Sequence, residues 1–391
     1  MERTGHPRNI TGGTVRGEDL FGRDGFLKNL ERGIDVGNLL LLAPRRWGKS
    51  SVLQTFFDAD PARRRYLDVM DLNTPEDFVV EVAKRCEGLS DRVTHTLGQI
   101  LENTLGRVKS IEAGGIGVEL GKPAAQEPDW KWKGERLMTA LGREHVLILD
   151  EFPVLAKRLL DADEAVGSDF LMWLRTVRQR PESPRFIFAG STSLSEVCAH
   201  FRLSQTINDL DGVPLPPFDE RLALDMLRAV FAAEGVPASG PLLDAILDQV
   251  GPEVPYFLQL MAKAIIGEYQ RTHVSPAPAR VVALYKDEVL SARTQHNLED
   301  YWERIDRIYT SSEAAVIREV LSALSKRRDS GLRYTTLRNR VASRSLEPEI
   351  LDRVLPLMGN DFYVRHTPST ATYSMFNRCL ADWWRIYHGG A

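Results

Sequence analysis

Unbroken apolar runs alternate with helix-length amphipathic stretches over the first half of the chain. Residues 39–42 (Leu-Leu-Leu-Leu), 146–149 (Val-Leu-Ile-Leu) and 186–189 (Phe-Ile-Phe-Ala) carry no polar interruption, as strands buried on both faces of a parallel sheet require. Helical spacing appears at 52–57, 75–86, 89–105, a stretch opening with Trp130 and Trp132, and 169–180, which Pro181 closes. Both tryptophans read as packing anchors. Residues 108–121, Gly-rich and flanked by alternating Val, Ile and Leu, read as a hairpin. This alternation predicts an α/β sheet with helices on both faces.

From Asp219 the strand signal stops. Residues 221–234, 242–250 and 256–270 predict helices, and 277–293 reads as a region spanning between domains. A further unit opens near 311, where Ser312 is placed to cap a helix with Ala315, Val316, Val320, Leu321 and Leu324 at helical spacing. Helices at 335–341 and 347–358 follow, and 362–365 with 372–376 flank the turn Thr367-Pro368-Ser369-Thr370. Three helices and a hairpin predict a winged helix-turn-helix. The expected order is a loose polar arm (1–18), an α/β core (19–212), a helical lid with connecting helices (213–310) and the winged helix (311–391).

Composition narrows the class. A 391-residue chain with 43% hydrophobic and 27% charged residues has the length for two or three ordinary globular domains. Nothing approaches a membrane span, and Met1-Glu2-Arg3-Thr4 lacks a secretory pattern. Cys86, Cys198 and Cys379 are odd in number and far apart, which suits buried thiols in a cytoplasmic protein. A net charge of −4 argues against coating nucleic acid by overall charge.

The candidate chemistry follows the strands. Ala43-Pro44-Arg45-Arg46-Trp47-Gly48-Lys49-Ser50-Ser51 leads from the first strand into a helix. A turn ending Gly-Lys-Ser is how a P-loop cradles phosphates: backbone N–H groups curl round the anion, Lys49 reaches the outer phosphates and Ser50 ligates Mg²⁺. The helix N-terminus adds its positive end. Ala43 stands where the motif has glycine, which is tolerable if that residue avoids positive φ. The second run ends in Asp150 and Glu151, placed to hold Mg²⁺ and to activate water; two acids opening a helix is the alternative. Ser191 and Thr192 end the third run, where they either reach the γ-phosphate or cap the next helix.

With these residues in view the chain resembles P-loop ATPases of the AAA+/STAND type, particularly the archaeal-type ATPases. Leu20-Phe21-Gly22-Arg23-Asp24 looks like that family's N-terminal signature, Pro44-Arg45-Arg46 like its form of the P-loop, Tyr66-Leu67-Asp68-Val69 like its second strand and Gly190-Ser191 like the end of its sensor strand. Residues 213–218 resemble the approach to its lid, and Gly251-Pro252-Glu253-Val254-Pro255 its lid motif with stretched spacing. The resemblance implies a P-loop NTPase sheet with an all-α lid and a C-terminal winged helix. It also implies ATP and Mg²⁺ as cofactors and nucleotide contacts from Phe21, Arg23, residues 44–51 and Pro255. Catalytic roles fall to Lys49, Asp150, Glu151 and Ser191, with metal held by Ser50 and Asp150.

Two functions fit: an ATPase that drives or gates conformational change and assembly with a protein partner or copies of itself, or a DNA-directed ATPase using the wing. DNA is the less favoured. The third helix of the wing carries Glu347, Glu349 and Asp352 against Arg353, whereas a groove-reading helix presents Arg, Lys, Asn or Gln. Lys326, Arg327, Arg328, Arg333, Arg338, Arg340 and Arg344 form the basic set that would touch phosphates or form a solvated face. Arg175, Arg178 and Arg202 are the arginine-finger candidates.

Overall fold

In the computed structural model, residues 7–86, 130–291, 296–328 and 330–389 are described. The expected helix at 89–105 and hairpin at 108–121 lie outside them. The chain groups into two compact units that cut across chain order: Gly25–Leu42 with Val52–Pro214, and Met1–Asp24 with Ala43–Ser51 and Leu215–Ala391.

In the sheet unit, α1 (Asp24–Val36) leads to β1 (Asn38–Leu42), and α2 (Lys49–Ala59) to β2 (Arg64–Asp68) and α3 (Pro75–Arg85). Then come α4 (Trp130–Leu141), β3 (Val146–Asp150), α5 (Phe152–Ala162), α6 (Glu164–Arg178), β4 (Arg185–Gly190), α7 (Leu194–His200) and β5 (Leu210–Gly212). The strands order β2-β3-β4-β1-β5, all parallel. Register places Leu42 beside Gly190, Leu149 beside Phe188 and Asp150 beside Asp68, so the carboxyl ends of β1 to β4 share one edge. The apolar runs form the core: every residue of β3 is buried. Asn38 fastens the opposite edge, accepting from Phe186 N at 2.9 Å and donating to Arg178 O at 3.5 Å.

Differences from expectation have local causes. Helix α6 starts at Glu164 rather than 169 because Asp163 caps it, accepting from Ala165 N and Val166 N at 2.9 and 3.1 Å. Strand β5 is too short and polar to leave an apolar run. Trp130 does anchor packing, 5.3 Å from Trp173 and 5.9 Å from Phe170. Trp132 does not: it is 45% exposed, with Arg136 over its ring at 4.8 Å.

The second unit is mainly helical: α8 (Glu220–Ala233), α9 (Gly240–Val250), α10 (Pro255–Thr272), α11 (Pro278–Leu284), α12 (His296–Ile308) and α13 (Ser311–Ser325). In the connecting region α11 ends at Leu284 and a π-helical turn, Tyr285–Val289, follows. Thr310, not Ser312, caps α13. Its hydroxyl accepts from Glu313 N while Glu313 accepts from Thr310 N at 2.9 Å, a capping box. Next come β6 (Leu332–Arg333), α14 (Tyr334–Ser343), α15 (Pro348–Asn360), β7 (Val364–Thr367), β8 (Thr372–Met375) and α16 (Arg378–Tyr387). Strand β8 lies between β6 and β7, antiparallel to both. Helix α16 was not anticipated, although Asn377 signals it by capping Leu380 N at 2.8 Å. The N-terminal arm is tied down where described: Arg8 pairs with Asp19 at 2.7 Å and Asn9 donates to Gln259 O at 2.9 Å.

Arg304 joins α12 to this C-terminal core. Fully buried, it donates to Asp361 O at 2.7 Å and to the Tyr363 hydroxyl at 3.2 Å, while the Asp361 carboxylate takes the Tyr309 hydroxyl at 2.7 Å. These neighbours hold its charge on in spite of burial. Removing one partner from such a buried ionic network costs about 3–5 kcal/mol. Arg304→Leu is expected to lower the urea midpoint accordingly, whereas a surface Arg221→Ala control should leave it unchanged.

Candidate functional site

The chain leaves β1 at Leu42 straight into the Gly-Lys-Ser loop, and Lys49 is the first residue of α2. The left-handed residues of this loop are Arg46 (φ 69°) and Gly48 (φ 88°); Ala43 is not among them. That explains why alanine serves at the first motif position: its methyl is fully buried and no positive φ is asked of it. At Gly48 nothing would crowd a side chain, so glycine is required there for conformation alone.

Neighbours within the unit hold the loop from several sides. Lys49 is 6% exposed. The Ser51 hydroxyl accepts Val15 N at 2.9 Å, so one lone pair of that expected ligand residue fastens the N-terminal arm. Buried Arg23 donates to Trp47 O at 3.3 Å and Pro216 O at 2.7 Å and lies 4.6 Å over the Phe218 ring. Burial pushes its guanidinium down to about 10. Arg23 thus braces the loop through a carbonyl. Gly22 (φ 66°) is needed just before it, since a side chain there would strike Leu222 at 2.6 Å. Phe21 is half-buried. Pro255 opens α10, whose next residue, Tyr256, lies 4.6 Å beneath the Arg46 guanidinium. Arg45 pairs with Asp300 of α12 at 2.9 Å. Trp47 packs 5.5 Å from Phe376.

On the sheet unit the acids stand at the carboxyl edge. Asp150 is 1% exposed. Its Oδ1 accepts Glu151 N at 3.0 Å and its Oδ2 accepts the Tyr66 hydroxyl at 2.8 Å. Burial first, then Asp150, drives the Tyr66 phenol upward, so Tyr66 stays a donor. Glu151 adopts φ 57°, ψ 29° before α5, and its carboxylate makes no cap hydrogen bond. A left-handed glutamate is uncommon and strained; here it keeps the carboxylate out of the helix. Ser191 Oγ donates to Glu151 Oε2 at 3.5 Å. Neither Ser191 nor Thr192 caps α7; Ser193 does, accepting Glu196 N at 3.3 Å. The sheet unit therefore brings Asp150, Glu151 and Ser191 together.

Tyr66 escaped sequence reasoning as a site residue. Its signal was strand parity: Tyr66 lies two residues before Asp68, the register partner of Asp150, and so on the same face. On the sequence expectation of Mg-ATP at this site, Tyr66→Phe should leave nucleotide affinity nearly unchanged. It should raise the Mg²⁺ concentration needed for half-maximal turnover by roughly tenfold or more, about the worth of one charged hydrogen bond; a Mg²⁺ titration checks this. Among the arginine candidates, Arg178 is buried and committed elsewhere, holding Asp209 at 2.9 and 3.0 Å and Thr206 O at 2.5 Å. Arg202 is exposed with φ 59°, and Arg175 is half-buried.

Much of the C-terminal basic set is already paired. Arg340 and Arg344 share Glu319 at 2.5 and 3.5 Å, Arg338 meets Glu349 at 3.2 Å, Arg328 meets Asp382 at 3.3 Å and Arg353 meets Glu313 at 2.8 Å. Lys326, Arg327 and Arg333 are exposed. Among the described residues no helix is long and apolar enough to cross a membrane.

No protein-family model matches the sequence, and no curated protein does. Solved structures do. A Walker-type ATPase of Pyrococcus abyssi is similar with a TM-score of 0.66 at 16% identity, over 97% of this chain and 99% of that one. The Aeropyrum pernix ORC2 protein, solved in ADPNP and ADP complexes, is similar with a TM-score of 0.53 at 14% identity, over 93% of this chain and 92% of its own. Identity this low speaks to architecture alone: this chain shares the fold of that Walker-type ATPase and of that ORC2 protein.

Proposed function

We propose that this protein binds ATP with Mg²⁺ and hydrolyses it, using the cycle to gate contact with a protein partner or with further copies of itself. The observation that carries this reading is the loop after β1. It makes its turns at Arg46 and Gly48, needs no glycine at Ala43, and delivers Lys49 and Ser50 to a helix N-terminus. Hard oxygen donors suit Mg²⁺: the Ser50 hydroxyl and the Asp150 carboxylate are of that kind, and Asp150 is already oriented by Tyr66 and Glu151 N. Bound Mg²⁺ would neutralise charge on the phosphate oxygens.

The other roles belong to the chain. Lys49 offsets charge on the transferred phosphoryl group. Glu151 orients and deprotonates water, held in line by Ser191. The nucleotide contacts of residues 44–51, Phe21 and Pro255 belong to this reading, with Arg23 supporting the loop. Paired cations on α14 and α15 favour a protein surface over a DNA surface, because phosphate contacts need free Lys and Arg. Buried thiols at Cys86, Cys198 and Cys379 suit a cytoplasmic setting. Phosphate release from Mg-ATP tests the reading: the parent should turn over and Lys49→Ala should not. Equal rates for the two proteins would refute it.

A further inference from the structure

Arg45, Arg46 and Trp47, which distinguish this loop from a bare Gly-Lys-Ser turn, meet the helical part of their own unit. Arg45 Nε lies 2.9 Å from Asp300 Oδ2, and the Asp300 side chain is only 16% exposed. Asp300 also takes Arg307 at 2.5 Å. Trp47 is 5% exposed, packs on Phe376 just beyond β8, and its Nε1 is buried with no hydrogen-bond partner among the described residues. One side of the loop is thus an ion pair and the other an apolar anchor.

These two contacts respond differently to an incoming anion. A guanidinium prefers phosphate oxygens arranged for a bidentate grip, and a polyphosphate brings more charge than one carboxylate. A fully buried pair is costly to break because the abandoned charge stays behind unpaired, but the Arg45 side chain is 36% exposed. Here Asp300 would keep Arg307, so Arg45 can leave without stranding it. The Trp47–Phe376 contact carries no charge and holds the loop in place while the ion pair opens.

We propose that Asp300 is a positioning residue that competes with the nucleotide's phosphates for Arg45, so that α12 reads the occupancy of the phosphate loop directly. The proposal rests on the nucleotide reading above. An empty loop leaves Arg45 clamped to α12. A bound triphosphate takes Arg45 and releases α12.

Calorimetric titration with a non-hydrolysable ATP analogue and Mg²⁺ tests it on four full-length proteins: the parent, Asp300→Asn, Arg45→Ala and the double variant. Asp300→Asn should bind roughly 2- to 5-fold more tightly, the coupling expected of a partly exposed ion pair, and Arg45→Ala more weakly. The double variant should match Arg45→Ala alone, because the rival anion matters only while Arg45 is present. In the parent, amide exchange across 296–308 should speed up when the analogue binds, a readout that a purely structural role for Asp300 would not give. Unchanged or weakened binding by Asp300→Asn overturns the proposal, as does tightening that persists without Arg45 or exchange that does not move. A parent that binds no analogue removes the nucleotide reading itself, a distinguishable failure.

Discussion

Glu151→Gln should leave Mg-ATP bound and slow its hydrolysis by about 10²–10⁴-fold, the usual contribution of a positioned general base. Glutamine keeps the size and hydrogen-bonding reach of glutamate but cannot take a proton. The backbone at φ 57° places residue 151 before α5 with its carboxylate outside the helix ladder, and Ser191 touches Oε2 from the end of β4. A residue merely starting a helix would have no reason to adopt the left-handed region. Single-turnover kinetics with bound Mg-ATP separates chemistry from binding: the rate should fall while the dissociation constant stays within a few-fold. Turnover close to the parent's would remove Glu151 from the reaction.

Lys49→Ala should have the opposite signature, losing affinity as well as rate. Lys49 is 6% exposed and opens α2 directly after the left-handed Gly48, so its ammonium is held where the helix N-terminus already favours an anion. Removing one member of a buried charge pair costs about 2–5 kcal/mol, or roughly 30- to several-thousand-fold in the dissociation constant. Lys49→Arg should not restore function, because a planar fork does not replace a compact ammonium in a tight loop. Fluorescence-detected binding of a labelled ATP analogue would show both effects. Affinity unaltered in Lys49→Ala would mean that the loop serves another purpose.

The central sheet was legible because burial on both faces leaves apolar runs that need no partner to be recognised: residues 39–42, 146–149 and 186–189 all became strands. Strand β5 was not legible, since Leu210-Asp211-Gly212 owes its pairing to β1 rather than to its own pattern. The loop and the Asp-Glu pair were legible as motifs; the reasons they take their shapes were not. That Arg46 rather than Ala43 turns left-handed and that Ser193 rather than Ser191 caps α7 are local choices that the residue types leave open, whereas the occupation of Arg178 by Asp209 depends on a neighbour far away in sequence. The C-terminal basic residues mislead for the same reason: a list of arginines does not reveal the glutamates each one meets.

Calorimetric titration of the intact protein with ATP, in the presence and absence of Mg²⁺, bears most directly on the whole account. Saturable binding near one nucleotide per chain, tightened by Mg²⁺ in the parent but not in Asp150→Asn, is the predicted result. No heat with Mg-ATP, or a Mg²⁺ dependence that survives in Asp150→Asn, would contradict it.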